Sequence, residues 1–216
     1  LLNRLQAIKL VASDFIQRRE GDRIGLILFG ERAYLQTPLT FDLKTVNTLL
    51  LESAIGLAGD ATAIGDAIGL AIKRLADTRK DSRVLILLTD GANTAGEVEP
   101  VKAAELAAEQ GLTIYTIGVG AEYIEQRGFF RNLRSKNTAL DEKTLTAIAK
   151  TTGGQYFRAR NTDELSEIYG LLDTLEPVEK DNQSFRPVIA LFYWPLGLAL
   201  ILAALISLLR TTGVSR

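Results

Sequence analysis

Residues 83–119, RVLILLTDGANTAGEVEPVKAAELAAEQGLTIYTIGV, contain the pattern that decides the fold: an apolar strand, a helix and a second apolar strand. Within the expected strand at 83–89, residues 84–88 are continuously apolar, which is typical of a strand covered on both faces. Pro100 lies near the first turn of the expected helix and Gly111 follows its end, and both positions favour these residues. A strand–helix–strand unit of this kind predicts two parallel strands in one sheet.

The same alternation of strands and helices extends through most of the chain. The other expected strands are 23–29, 33–37 and 155–158, and the other expected helices are 1–16, 43–53, 63–77, 141–151 and 162–176. Residues 121–140 are charged and irregular, and we expect a loop or an insertion there. The sequence therefore predicts an α/β fold with a mostly parallel central sheet.

The composition excludes several classes of function. The chain has 25 Lys and Arg against 26 Asp and Glu, which gives no electrostatic case for binding nucleic acid. His and Cys are absent, so imidazole acid–base chemistry, thiolate nucleophiles and zinc or iron–sulfur sites built on these ligands are ruled out. Neither a complete G-x-G-x-x-G nor a G-x-x-x-x-G-K-[ST] motif occurs. Oxygen ligands remain, and these are the ligands of Mg²⁺ and Ca²⁺.

The first residues predict a chain that begins inside a helix. Leu1, Leu5, Ile8, Ala12 and Phe15 form one apolar stripe at helical spacing. No capping residue precedes the stripe, and the chain contains no Met that could be an initiator. We therefore expect the sequence to be a fragment or a processed product.

The last residues predict a membrane helix. Residues 188–209, VIALFYWPLGLALILAALISLL, carry no charge, and at ~1.5 Å per residue they reach the ~30 Å needed to cross a bilayer. Positive charges on the two sides of this segment balance, so they predict no orientation. The expected organisation is a domain at 1–176, a linker at 177–187, a transmembrane helix at 188–209 and a short tail at 210–216.

Two polar residues are candidates for a site: one lies at the carboxyl end of an expected strand, where ligands of open α/β sheets bind, and the other lies before an expected helix. Asp90 follows the strand at 83–89, either as a metal or ligand site or as an Asp-Gly turn whose carboxylate accepts backbone N–H bonds. Thr62 precedes the helix at 63–77, and its hydroxyl alone suits an N-cap. Asp60 and Asp66 are expected to favour the dipole of that helix.

Taken together, the segments 60–75 (DATAIGDAIGLAIKRL) and 84–120 (ending in TIYTIGVG) resemble the von Willebrand factor type A domain. Within that family they are similar to the bacterial membrane-anchored Bacteroides aerotolerance proteins, BatA-like. The flanks at 3–40 and 140–169 agree, so the resemblance covers almost all of residues 2–209. It implies a three-layer, Rossmann-like domain followed by a C-terminal membrane helix.

The resemblance also implies a metal-ion-dependent adhesion site (MIDAS) that holds Mg²⁺. Thr62 and Asp90 match two of its ligand positions, and Ala61 stands where the family usually has Gly. The D-x-S-x-S segment and the first, central strand of the family's sheet belong upstream of residue 1. With Thr62 and Asp90 alone, the site is expected to hold hydrated Mg²⁺ weakly at best.

The expected function is metal-dependent binding of a partner protein that offers an Asp or Glu to the metal, without catalysis. The resemblance implies the bacterial cytoplasmic (inner) membrane, a periplasmic domain, and partnership with a MoxR-type AAA ATPase and other Bat-like membrane proteins in assembly or stress tolerance. One alternative is a structural membrane anchor with a vestigial site. Another is a hydrolase that uses Asp90 as a metal-held base, which the missing acid–base partner disfavours.

Overall fold

The computed structural model describes residues 4–54, 58–120, 123–127, 132–136, 140–177 and 193–213, and it divides into two compact units, Leu1–Lys180 and Asp181–Arg216. The strands are β1 (Ile24–Phe29), β2 (Ala33–Thr40), β3 (Val84–Thr89), β4 (Thr113–Val119), β5 (Tyr123–Arg127), β6 (Asn132–Lys136) and β7 (Tyr156–Ala159). The helices are α1 (Arg4–Arg18), α2 (Leu43–Glu52), α3 (Ile64–Leu75), α4 (Pro100–Glu109), α5 (Glu142–Thr151), α6 (Thr162–Leu175) and α7 (Tyr193–Gly213).

The parallel sheet predicted from the apolar runs is confirmed. Strands β3, β4 and β7 pair in that order and all in parallel, with Thr89 opposite Gly118 and Gly118 opposite Arg158. Strands β1 and β2 form a separate antiparallel pair. The strand expected at 33–37 is longer than predicted, because β2 continues through Pro38 to Thr40. Pro38 is exposed, and an edge strand tolerates a proline at such a position.

Two apolar cores cover the two faces of the parallel sheet, which gives the three layers of the fold. The first core draws on α3, α4 and α5, with the buried residues Ile64, Ile68, Ala104, Ala107, Leu145 and Ile148. The second draws on α1 and α6, with the buried residues Phe15, Leu165, Ile168, Tyr169 and Leu172. Successive side chains of a strand point to opposite faces; Ile114 of β4 accordingly lies in the first core and Ile117 in the second.

Strands of similar composition are buried to very different extents. Six of the seven residues of β4 are buried, but only two of six in β3 and none of six in β1. The reason is pairing: β4 lies between two strands, whereas β1 pairs only with β2 and β3 only with β4 among the described residues. Strand edges of this kind are open to pairing with a further strand.

The predicted loop or insertion at 121–140 contains an antiparallel hairpin. Strands β5 and β6 pair in register from Tyr123 opposite Lys136 to Arg127 opposite Asn132. The sequence did not show it, because neither strand has an apolar run or a clear alternation of apolar and polar residues.

The second unit contains α7, a helix of 21 residues from Tyr193 to Gly213. The large apolar side chains described along it are exposed, from Trp194 at 80% to Leu208 at 67%. No helix in the described ranges is both long enough and apolar enough to cross a membrane. The transmembrane helix predicted at 188–209 is therefore not confirmed. The observed helix begins at Tyr193 and includes the charged Arg210. Residues 188–192 and the linker residues 178–187 lie outside the described ranges.

Candidate functional site

The candidate site begins where β1 ends. The N–H of Glu31 donates to the carbonyl of Ala58 at 2.6 Å, and the carbonyl of Gly30 accepts from the N–H of Ala63 at 2.7 Å. A Cβ on Gly30 would lie 2.5 Å from the Ala58 carbonyl oxygen, so only glycine allows this approach. These contacts fix the segment 58–63, with Thr62 in it, on the carboxyl end of β1.

A second set of backbone contacts joins Thr62 to the loop that follows β3. The N–H of Thr62 donates to Oγ1 of Thr94 at 3.0 Å, and its carbonyl accepts from the N–H of Thr94 at 2.9 Å and of Ala95 at 3.2 Å. Both the backbone donor and the backbone acceptor of Thr62 are therefore used. The segments before α3 and after β3 form one connected surface at the carboxyl edge of the sheet.

The side chains of Thr62 and Asp90 remain unused by the fold. Oγ1 of the half-buried Thr62 lies 3.5 Å from the place that a Cβ on Gly91 would take. Asp90 is exposed, and neither its carboxylate nor the Thr62 hydroxyl has a hydrogen bond or ion pair with any residue in the described part of the chain. The N–H of Gly91 donates instead to Oγ1 of Thr89 at 3.3 Å. The structure thus places the Thr62 hydroxyl against the residue that follows Asp90.

The local interpretation of Thr62 as an N-cap is wrong. Ala63 is the N-cap of α3 and makes no side-chain capping bond. The N–H of Ile64 is satisfied from another loop, because it donates to Oδ1 of Asn93 at 2.8 Å. No local sequence pattern links Asn93, in the loop after β3, to a helix residue 29 positions earlier, so its role could not be predicted.

Asp66 also does more than favour the helix dipole. Its Oδ1 accepts from the N–H groups of Glu97 and Val98, both at 3.0 Å. Asp66 therefore holds the far end of the loop that starts at Asp90 against the first turn of α3. Asp60 is exposed on the neighbouring segment, and no described residue binds its carboxylate.

We expect Asn93→Ala to cost about 1 kcal/mol of stability, the usual effect of losing an N-cap acceptor, and Thr62→Ala to cost much less. Denaturant unfolding followed by circular dichroism measures both. If Thr62→Ala proved the more destabilising of the two, the hydroxyl of Thr62 would have a structural role that these contacts do not give it.

The charges around Thr62 favour a cation. Glu31, Asp60, Asp90, Glu97 and Glu99 are exposed on the segments that meet at this edge, and Arg32 is the exposed cation among them. In the described ranges, however, no three acidic, His or Cys side chains are grouped closely enough to hold a metal. Thr62 and Asp90 fit Mg²⁺ as two oxygen ligands out of about six. The remaining ligands would have to come from water, from a partner or from elsewhere in the protein.

A family model for the von Willebrand factor type A domain matches residues 1–171. Curated relatives are 27–29% identical, and the chain spans about half of their length: 51%, 56% and 54% for three of them. Two solved structures are similar in sequence as well as in fold. They are the conserved hypothetical protein BatB of Bacteroides thetaiotaomicron (28% identity, TM-score 0.65) and an aerotolerance-related membrane protein of Bacteroides fragilis (27%, 0.64).

The two Bacteroides matches cover 80% and 78% of this chain and 88% and 87% of those chains. A third structure, proximal thread matrix protein 1 from the mussel byssus with a zinc-occupied MIDAS motif, is 24% identical with a TM-score of 0.62. It matches 79% of this chain and 40% of that chain, and at this identity it shows the shared fold alone.

Proposed function

Because this chain belongs to the von Willebrand factor type A domain family, we propose that it binds a partner protein through a metal ion held at Thr62 and Asp90. The observation that supports this most is that neither side chain is bound by another described residue. The fold uses the backbone N–H and carbonyl of Thr62, but among the described residues its hydroxyl and the Asp90 carboxylate have no partner. The Thr62 oxygen is not among the buried polar atoms that lack a partner in the described ranges, so solvent reaches it and a ligand can as well.

The residues present determine what such a site does. A bound Mg²⁺ supplies a coordination position that an Asp or Glu of the partner can take, as hard oxygen ligands suit this ion. Asp90 contributes one negative charge and Thr62 contributes a neutral oxygen, so an ion held by these two side chains would keep a net positive charge. Asn93, Thr94 and Asp66 hold the two segments in place and do not bind the ion.

We propose binding rather than catalysis. The chain has no His or Cys, so it lacks the imidazole that most often transfers protons in catalysis and the thiolate that serves as a nucleophile. The structural anchor with a vestigial site is the second candidate, favoured because no three acidic, His or Cys side chains are grouped to hold a metal in the described ranges.

The two candidates separate by calorimetric titration of Mg²⁺ into the protein made from the complete gene. We expect saturable binding that Asp90→Asn abolishes and Thr62→Val weakens at least tenfold, since Asn replaces the anionic carboxylate by a neutral amide and Val removes the hydroxyl oxygen, while both keep the side-chain shape. Asp60→Asn is the matched control, because it removes the same charge from the adjacent segment and should leave binding within about twofold.

Residues 1–216 alone, with only two of the proposed ligands, are expected to show no saturable Mg²⁺ binding at millimolar concentration. If Asp90→Asn leaves the binding by the complete protein unchanged, the metal is held elsewhere and the proposed function fails. If the complete protein binds no Mg²⁺ at all, the vestigial anchor is the better description.

We further propose that the protein is attached to the bacterial inner membrane by the apolar segment 188–209, with the domain on the periplasmic side. The membrane protein of Bacteroides fragilis among its structural relatives supports a membrane location, and a MoxR-type ATPase and other Bat-like proteins are the proposed partners. Deleting residues 188–216 should release the protein from the membrane fraction into the soluble fraction. Equal partition of the two forms would contradict the attachment.

A further inference from the structure

The turn that joins β1 to β2 is fixed against the segment that carries Thr62. The N–H of Gly30 donates to the carbonyl of Arg32 at 3.1 Å, and the carbonyl of Gly30 accepts from the N–H of Ala63 at 2.7 Å. Two hydrogen bonds in succession therefore connect Arg32 to the residue that follows Thr62. Because consecutive Cα atoms are about 3.8 Å apart, the Cα of Arg32 lies at most about 7.6 Å from that of Gly30.

The pairing of the two strands sets the position of Arg32. Phe29 of β1 is opposite Ala33 of β2, so only Gly30, Glu31 and Arg32 form the turn between them. A turn of three residues whose first member is bonded to a neighbouring segment holds its main chain in place before any ligand binds. An ordered main chain lowers the entropy that a residue loses on binding.

Arg32 is the only cation in the three segments that meet at this edge. Residues 30–32, 58–63 and 90–99 contain one Arg and no Lys. The same segments contain five acidic residues, which are Glu31, Asp60, Asp90, Glu97 and Glu99. A partner that offers carboxylates is therefore repelled by this edge except at a bound metal ion and at Arg32.

The guanidinium of Arg32 is available to a ligand. Arg32 is exposed and has no hydrogen bond or ion pair with any residue in the described part of the chain. The adjacent carboxylate, that of Glu31, lies along the neighbouring segment, with its Oε2 3.0 Å from the place that a Cβ on Gly59 would take. Elsewhere Arg19 and Arg158 bind carboxylates at 2.7 and 2.6 Å. Arg32 thus keeps all five of its N–H donors.

The chemistry of a guanidinium determines what Arg32 recognises. It is a cation and donates only, so it does not bind a metal ion, but it binds a carboxylate through two parallel hydrogen bonds. The proposed function assigns one carboxylate of the partner to the metal. A second carboxylate of the same partner is then the ligand that suits Arg32.

We propose that Arg32 binds a second acidic side chain of the partner segment whose first Asp or Glu reaches the metal. The inference rests on the proposed function for the first carboxylate and adds a specificity position to it. The partner segment accordingly carries two acidic residues a short distance apart, because Arg32 and Thr62 belong to segments that are joined by hydrogen bonds.

The test compares two synthetic peptides of equal length that share one central Asp. One carries Glu two residues before and two residues after the Asp, on the same side of an extended chain, and the other carries Gln at these positions. Their binding to the protein made from the complete gene is measured by fluorescence anisotropy in millimolar Mg²⁺. We expect about fivefold tighter binding of the Glu peptide, and a smaller preference at high salt.

Arg32→Gln should remove or reverse this preference, because the acidic edge then repels the added carboxylates. Binding of the Gln peptide should stay within about twofold. Arg74→Gln is the matched control and should keep the preference. It removes an exposed guanidinium from the last turn of α3, ten residues and about 15 Å beyond Ile64 at the start of that helix.

Calorimetric titration of Mg²⁺ alone separates a contact with the peptide from damage to the metal site. Arg32→Gln removes a positive charge from the edge, so its Mg²⁺ binding should be unchanged or up to about threefold tighter. The midpoint of denaturant unfolding should not change, because the Arg32 side chain has no partner among the described residues. Weaker Mg²⁺ binding by this variant would overturn the proposal.

An unchanged preference in Arg32→Gln, an equal loss of both peptides, or the same loss of preference in Arg74→Gln would also overturn it. The proposed function is judged separately, by whether EDTA abolishes binding of the Gln peptide. A preference that depends on Arg32 but not on Mg²⁺ would support the carboxylate contact at Arg32 and reject the metal site.

Discussion

Arg83→Ala is expected to lower the free energy of unfolding by about 3–5 kcal/mol. The substitution removes a buried guanidinium, and several main-chain carbonyls then lose their hydrogen-bond donors. Arg83 is only 7% exposed. Its Nε donates to the Thr78 carbonyl at 2.8 Å, its Nη1 to that of Gln110 at 2.8 Å and its Nη2 to that of Ala76 at 2.6 Å.

Ala76 and Gln110 are the C-caps of α3 and α4, so one side chain satisfies the ends of both helices and complements their dipoles. Arg83→Lys should recover part of the loss, since ammonium keeps the charge but cannot span the three carbonyls as the planar guanidinium does. Arg74→Ala, in the exposed last turn of α3, is the control and should stay within about 0.5 kcal/mol of the parent.

Denaturant unfolding followed by circular dichroism is the suitable measurement. A loss below about 1 kcal/mol for Arg83→Ala would mean that water replaces the guanidinium at these helix ends.

The strands and helices of the first unit were predictable because their signals are local. The apolar runs at 83–89 and 113–119 became β3 and β4, and Asn161 caps α6 by accepting from the N–H of Glu164 as its capping pattern predicts. The hairpin β5–β6 was not predictable in the same way. Its strands pair with each other, and this pairing leaves no periodic pattern of apolar residues in the sequence.

The candidate site was likewise predictable only in part. The approach of Thr62 to Asp90 was implied by the family resemblance and not by strand order, because Thr62 follows no strand directly and precedes α3. Which side chains hold the two segments together does not follow from the resemblance: Asn93 caps a helix across 29 residues, and Asp66 binds Glu97 and Val98 across 31 and 32 residues. Such contacts depend on tertiary structure, so local capping rules assigned the wrong residue.

Gly65→Ala is the second change with a large expected effect, a loss of about 3 kcal/mol of stability through overpacking against main chain. A Cβ at position 65 would lie 1.9 Å from the carbonyl oxygen of Val98 and 2.7 Å from its carbonyl carbon. Main-chain atoms cannot move aside by a rotamer change, so α3 and the segment at Val98 must separate.

That separation would break the two hydrogen bonds that Asp66 accepts from Glu97 and Val98 and would loosen the loop between Asp90 and α4. Gly65→Ala should therefore weaken Mg²⁺ binding by the complete protein as well as stability, although residue 65 provides no ligand. Calorimetry and unfolding on the same preparation would show whether the two losses occur together.

Gly69→Ala is a close control for this prediction, because it makes the same substitution one turn later in the same helix. No atom lies within 4 Å of the added Cβ at residue 69. Replacing a helix-interior glycine by alanine should then stabilise the protein by up to about 1 kcal/mol, with Mg²⁺ binding unchanged. Opposite signs for the two variants would locate the constraint in the contact with Val98 rather than in helix propensity. A stabilising Gly65→Ala would show that α3 and the loop after Asp90 do not approach each other this closely, and the position proposed for Asp90 beside Thr62 would have to be given up.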